Sequence, residues 1–191
     1  MNAVLNKEVA INVACEKFAA FEWLTQGLGA KSPQYGNEGH STGEKPIDYQ
    51  DRLGVIGKMK DPLEKSITAL IIFNGNSKAD YESVQNQLMN IMLNNAKADG
   101  KREPKNINSV HLSFLVSRMV IDFALNPTLE RNFTEQGRLY YAGIGANQMT
   151  QKSYECTWKQ YEKLMVIAIE SAIDSAAKWV SEYKKQTYKD A

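Results

Sequence analysis

From residue 3 to about residue 26 the apolar positions Val4, Val9, Val13, Phe18, Phe21 and Leu24 recur at steps of three to five. Gly27 and Gly29 end the pattern, which predicts an amphipathic helix. Tyr49 to Met59 reads as a second helix with Asp48 as its N-cap. In the run DPLEK, Asp61 can cap and Pro62 can open a third helix that reaches about Phe73. NGNS breaks the chain, and residues 79–98 predict a fourth helix with Val84, Leu88, Ile91 and Met92 on one face, stopped by Asp99 and Gly100. KREPKN is a charged turn. Ser109 to Leu125, SVHLSFLVSRMVIDFAL, is apolar nearly all round and predicts the buried central helix. Strand signals are scarce, since LIIF is short and sits in helical context. The pattern is that of an all-α protein.

In the last third, Tyr154, Trp158, Tyr161, Met165, Ala168, Ala172, Ala176, Trp179 and Tyr183 keep three- and four-residue steps, which predicts one helix of about thirty residues. Its stretch AIESAIDSAAKW lets another helix come close. That suits packing against 109–125 and, as the alternative, a homodimer through this C-terminal helix. The chain divides into an N-terminal helical region, 1–75, with a Gly-rich loop at 27–46, and a second helical region, 76–191.

The 191 residues are 43% hydrophobic and 24% charged, enough apolar content for a real core. Lys and Arg number 23 against 22 Asp and Glu, so any nucleic-acid partner needs a local basic patch. The opening MNAVLNKEVAINVACEKF mixes Asn, Lys and Glu into its apolar positions, unlike a signal peptide or membrane span, and a cytoplasmic location is the default expectation. Cys15 and Cys156 lack CxxC spacing and read as thiols without a bridge.

The sequence TGEKP at 42–46 matches the spacer between zinc fingers, but a finger needs a close Cys and His set. His40 and His111 are the only histidines, with no cysteine pair near either, so no metal site is expected. The loop at 27–46 holds five glycines and two prolines among polar residues, and its length points to a binding surface. GLGAKS lacks the spacing of a phosphate-binding loop, and GIGA is a lone GxG. No nucleophile–His–acid set suggests itself. No cofactor and no enzymatic activity are expected.

Residues 133–165 can form a helix-turn-helix. Gly143 and Gly145 would make the turn, and Ser153 would cap the second helix. Lys152, Lys159, Gln160 and Lys163 would then face outward, with Trp158 and Tyr161 inward and Arg138 on the preceding helix. Residues 131–165 carry five Lys or Arg against three Asp or Glu. Alternating Lys and Glu also describes a solvated helical face.

Trp23, Gly27, Leu28, Gly29, Ser32, Pro33, Gln34 and Tyr35, followed by a Gly-rich loop and by DYQDRLGVIGKMKDPLEKSITAL, form an order that resembles the bacteriophage late antitermination proteins of the Q type. In that family a Trp-bearing helix leads to a G-x-x-SP-x-Y loop, and a helix pair precedes a sigma-like helix-turn-helix. Residues 18–73 follow the pattern. Residues 139–170 correspond to its helix-turn-helix with a shortened first helix, after about sixty-five residues that compact members lack. Some members carry a zinc site, which this chain cannot form from the usual cysteines. The resemblance implies a regulator that binds double-stranded DNA near a late promoter through Arg138, Lys152, Ser153, Lys159, Gln160 and Lys163. It also implies a hold on bacterial RNA polymerase, with Lys31, Ser32 and Tyr35 as a partner-binding loop, in the host bacterial cytoplasm. The alternative is a helical phage or mobile-element protein that binds and inhibits a host protein without touching DNA.

Overall fold

The computed structural model describes residues 17–25 and 49–189, which form helices only. In chain order these are α1 (17–25), α2 (Tyr49–Lys58), α3 (Pro62–Ile72), α4 (Lys78–Ala98), α5 (Ser109–Leu125), α6 (Pro127–Glu130), α7 (Glu135–Ala142), α8 (Gln151–Thr157) and α9 (Lys159–Lys189). The expectations for residues 3–16, Cys15, the loop 27–46 with Lys31, Ser32 and Tyr35, His40 and Asp48 lie outside the described residues.

Local chemistry explains the boundaries. Asp61 is extended, accepts from the Leu63 amide at 2.8 Å, and is followed by Pro62 at the first helical position of α3. Asn108 caps α5 in the same way through the Val110 amide at 2.7 Å. After α4 the chain turns at Gly100, whose φ of 63° is a left-handed conformation that glycine adopts without a Cβ penalty.

One core draws on both regions of the chain. Phe21 and Leu24 of α1, Ile67 and Leu70 of α3, Val84, Leu88 and Met92 of α4, and Leu112, Val116 and Met119 of α5 are buried together. The long helix α9 closes the core with Tyr161, Met165, Ile169, Ala172, Ile173, Ala176 and Val180 on one stripe. Each fully buried large aliphatic side chain of this set is worth about 1.5–3 kcal/mol. Ala172 and Ala176 are consumed inside this chain, so the small-residue stretch serves core packing, and nothing in the fold supports a homodimer through it. At the far end of α9 a Cβ on Gly54 would stand 2.7 Å from the Tyr183 hydroxyl, so a side chain at 54 would make the tip of Tyr183 shift.

Three expectations change. The long C-terminal helix of about thirty residues is present as the 31-residue α9, but it starts at Lys159 and not near Tyr154, because Tyr154 and Trp158 belong to α8 and its C-cap. His111, in the run read as apolar nearly all round and as a core or interface position, is exposed and so lies outside the core. Val110 and Phe114, at 52% and 41% exposure, likewise leave the first turns of α5 uncovered on one side. Among the described residues no helix is long and apolar enough to cross a membrane.

Candidate nucleic-acid interface

The segment from α6 to the start of α9 is built by short-range signals. Thr134 caps α7 by accepting from the Gly137 amide at 3.2 Å. Gly143 ends α7 with φ 90°, and the Ile144 amide reaches back to the Leu139 carbonyl at 2.9 Å, closing the turn expected at a left-handed helix end. Arg118 of α5 donates to the Ala142 carbonyl at 3.0 Å, satisfying one of the orphan acceptors of that end.

The connection to α8 runs from Gly143 to Thr150 and is longer than the three- or four-residue turn of a helix-turn-helix. Ile144 and Met149 are both buried, and the extra length lets both side chains reach the core. The motif is a helix-loop-helix pinned by its own loop. Thr150, not Ser153, caps α8, and the Ser153 amide donates to the Thr150 hydroxyl at 3.3 Å. The Ser153 side chain is exposed.

Trp158 marks the joint between α8 and α9. Its amide donates to the Tyr154 carbonyl at 2.7 Å, and its own carbonyl accepts from the Tyr161 and Glu162 amides at 2.9 and 3.2 Å. Trp158 and Tyr161 are buried with ring centroids 5.9 Å apart, on the inward side that their spacing predicts.

A charged cluster locks these helices together. Arg138 donates through Nη2 to Glu162 at 2.6 Å and pairs through Nη1 with Glu130 at 2.9 Å. The Tyr154 hydroxyl donates to the other Glu162 oxygen at 2.7 Å. The Glu162 side chain is 6% exposed and that of Arg138 18%, and the guanidinium lies over the Phe123 ring of α5 at 5.5 Å. Burial, followed by the Glu162 carboxylate, pushes the Tyr154 phenol well above its ordinary range. Arg138 is therefore a structural hub and not an outward phosphate contact. Lys159 is also engaged, with Glu135 at 2.7 Å, and that hydrogen bond holds the Glu135 carboxyl below its ordinary value.

Lys152 and Ser153 of α8 and Gln160 and Lys163 in the first turns of α9 are all exposed, as is the Cys156 thiol of α8. Neither Lys152 nor Lys163 has an ion pair within 4.0 Å among the described residues, although the Lys163 charge lies close enough to Glu135 to help the Lys159 hydrogen bond hold that carboxyl low. The exposed acid of α8, Glu155, accepts from Gln151 at 2.7 Å. Sequence reasoning missed Glu162, Tyr154 and Glu130. Glu162 lies 24 residues from Arg138, and no local pattern links the two.

A second polar group sits under α7. The Tyr141 hydroxyl donates to Asp122 of α5 at 2.9 Å. Burial raises the Asp122 carboxyl, and burial, followed by the Asp122 charge, pushes the Tyr81 phenol up to about 12.

No family model, no curated protein and no solved structure matches this chain.

Proposed function

We propose that the protein is a DNA-binding transcription regulator of the late-antitermination kind, active in the cytoplasm of a bacterial host. In this reading the outward face of α8 and the start of α9 meets double-stranded DNA, and a separate surface holds bacterial RNA polymerase. The observation that supports it most is the locked helix-loop-helix. Its buried Arg138–Glu162–Tyr154 cluster fixes α7, α8 and α9, while Lys152, Ser153, Gln160 and Lys163 stand in solvent. A rigid scaffold under an exposed polar helical face is what base-edge and phosphate recognition requires. Lys152 and Lys163 contact phosphates, and Ser153 and Gln160 meet base edges. Lys159 adds less, because Glu135 already holds it.

The polymerase half rests on the resemblance at Trp23 to Tyr35, with Lys31, Ser32 and Tyr35 as the contact loop. A near-neutral chain suits two modest contacts acting together. The role is non-catalytic.

The test is anisotropy titration of a labelled late-promoter duplex at several salt concentrations. K152Q/K163Q should lower the salt slope by about 0.9 per phosphate left without its lysine, on cognate and unrelated sequences alike, with an unchanged helical spectrum. Lys31→Ala and Tyr35→Ala should weaken capture of bacterial RNA polymerase while leaving DNA affinity and thermal stability in place. One observation favours the alternative of a helical inhibitor that binds only a protein. Val110 and Phe114 are exposed beside Met89, with the His111 ring stacked 6.4 Å from that of Phe114. A parent protein without salt-dependent affinity for any duplex would transfer the function to that alternative.

A further inference from the structure

The charged turn between α4 and α5 is fastened to the helix-loop-helix at two points. The Tyr161 hydroxyl at the start of α9 donates to Asp99 at 2.7 Å, and the Asn106 side chain donates to the Asn147 carbonyl, in the connection that leads into α8, at 2.9 Å. The turn is also held at its own ends. The Lys101 amide reaches the Ala96 carbonyl at 2.9 Å, Ile107 is buried, and Asn108 caps α5. A segment tied at this many places has little freedom left to lose when a ligand arrives.

Its acids are hydrogen-bonded within the protein, and its cations are not ion-paired among the described residues. Asp99 is engaged with Tyr161, and Glu103 accepts from the Ser109 amide at 3.1 Å and hydroxyl at 3.3 Å at the N-terminus of α5. The cations Lys101, Arg102 and Lys105 are exposed, and none has an ion-pair partner among the described residues. Both acids are exposed like the cations and keep their charge, but each is held by a hydrogen bond within the protein, so among the described residues the turn presents three cations free of ion pairs against two tethered carboxylates. We infer that the turn at 99–108 is a phosphate clamp that grips the backbone of double-stranded DNA beside the groove entered by α8. This rests on the DNA-binding reading above and adds a second contact region to it.

The physical argument is one of position and charge. A helix lying in a major groove about 12 Å wide has phosphate rows on both sides. The Asn106–Asn147 bond sets the turn beside the connection that opens α8, so a helix pointing its first residues at base edges brings the turn toward one of those rows. Lys and Arg there fix register without reading sequence.

The test compares three variants with the parent by anisotropy titration of one labelled thirty-base-pair duplex between 50 and 300 mM salt. K101Q/R102Q/K105Q should lower the salt slope by about 0.9 for each phosphate that its cations neutralise in the parent, so by at least about 0.9 and at most about 2.7. At 0.1 M salt that is a loss of affinity between about 8-fold and about 500-fold. K152Q/K163Q should lower the slope separately. K60Q/K178Q/K185Q removes the same charge near the far end of α9, where Lys58 donates to Gln186 at 2.9 Å, and should leave the slope unchanged. If the parent binds with a salt-dependent affinity and the 101–102–105 variant matches it, the clamp is overturned and the α8 reading stands. An equal effect of the far-end variant overturns the clamp as well, since net charge alone would then account for it. A parent with no duplex affinity overturns both. Preference for single-stranded RNA of the same length overturns the duplex as occupant.

Discussion

Replacing Arg138 with Met should destabilise the protein by about 3–5 kcal/mol, because it leaves the Glu162 carboxylate buried with the Tyr154 hydroxyl as its remaining close donor. The change keeps most of the stem that lies over Phe123, so reduced packing is the smaller part. Glu162→Leu should cost less, about 1–3 kcal/mol. Arg138 still has Glu130 at 2.9 Å, and the main loss is a buried Tyr154 hydroxyl without its acceptor. The double variant R138M/E162L removes both charges together and should be about 1–3 kcal/mol more stable than the sum of the single losses predicts. Urea unfolding followed by helical circular dichroism measures all four proteins. For a chain of this size each kcal/mol moves the thermal midpoint by about 2–4 °C, so R138M alone should melt about 6–20 °C early. An exposed phosphate-binding arginine would behave differently, changing stability by no more than about 0.5 kcal/mol while weakening DNA affinity. An R138M unfolding free energy within about 0.5 kcal/mol of the parent would refute the hub assignment.

Three further outcomes follow from single sites. Burial raises the folded-state pKa of Asp122 above its unfolded value of about 3.9, so the parent loses stability as pH rises through that interval and the loss is complete above the folded pKa. Asp122→Asn carries no such dependence, and its melting temperature relative to the parent should climb between pH 4 and pH 7; a difference that stays flat would contradict the burial assignment. Gly143→Ala forces a side chain into φ 90°, and since its Cβ would meet only ordinary neighbours at 3.8 Å, the cost should be the left-handed strain alone, about 1–2 kcal/mol by urea unfolding; an unchanged midpoint would show that the turn relaxes. In a Cys15→Ser background, a bulky maleimide should label the exposed Cys156 without denaturant and reduce duplex affinity at least about 10-fold; full affinity after labelling would remove α8 from the interface.

The fold was legible wherever a local signal decides the outcome. Asp61–Pro62, Gly100 and the ends of the apolar run at 109–125 mark boundaries that agree with the structure to within a residue or two. The joint at Trp158 was not legible, because Tyr154, Trp158, Tyr161 and Met165 hold the same three- and four-residue spacing straight through it. All four are buried, so burial does not distinguish one helix from two. The cap of α8 went to Thr150 over Ser153 because Met149 must be buried first, which fixes where the helix can begin. At the candidate site the inward and outward faces were readable from periodicity. The roles of Arg138 and Lys159 were not, since each is decided by a carboxylate 24 residues away in the chain.

That last point changes how the net charge is read. A balance of 23 cations against 22 acids speaks against a global basic field, yet it does not describe the surface. Around the helix-loop-helix the acids have internal duties. Glu162 is held by Arg138 and Tyr154, Glu135 by Lys159, Asp99 by Tyr161, and Glu103 by the first turn of α5. Two of those acids neutralise two cations, Arg138 and Lys159, while Asp99 and Glu103, bound by neutral donors, keep their charge at the surface beside Lys101, Arg102 and Lys105, three cations against two acids. Lys101, Arg102, Lys105, Lys152 and Lys163 thus remain in solvent without an ion-pair partner among the described residues. Screening over about 8 Å at physiological salt makes this local arrangement, and not the total, the field that an approaching polyanion meets.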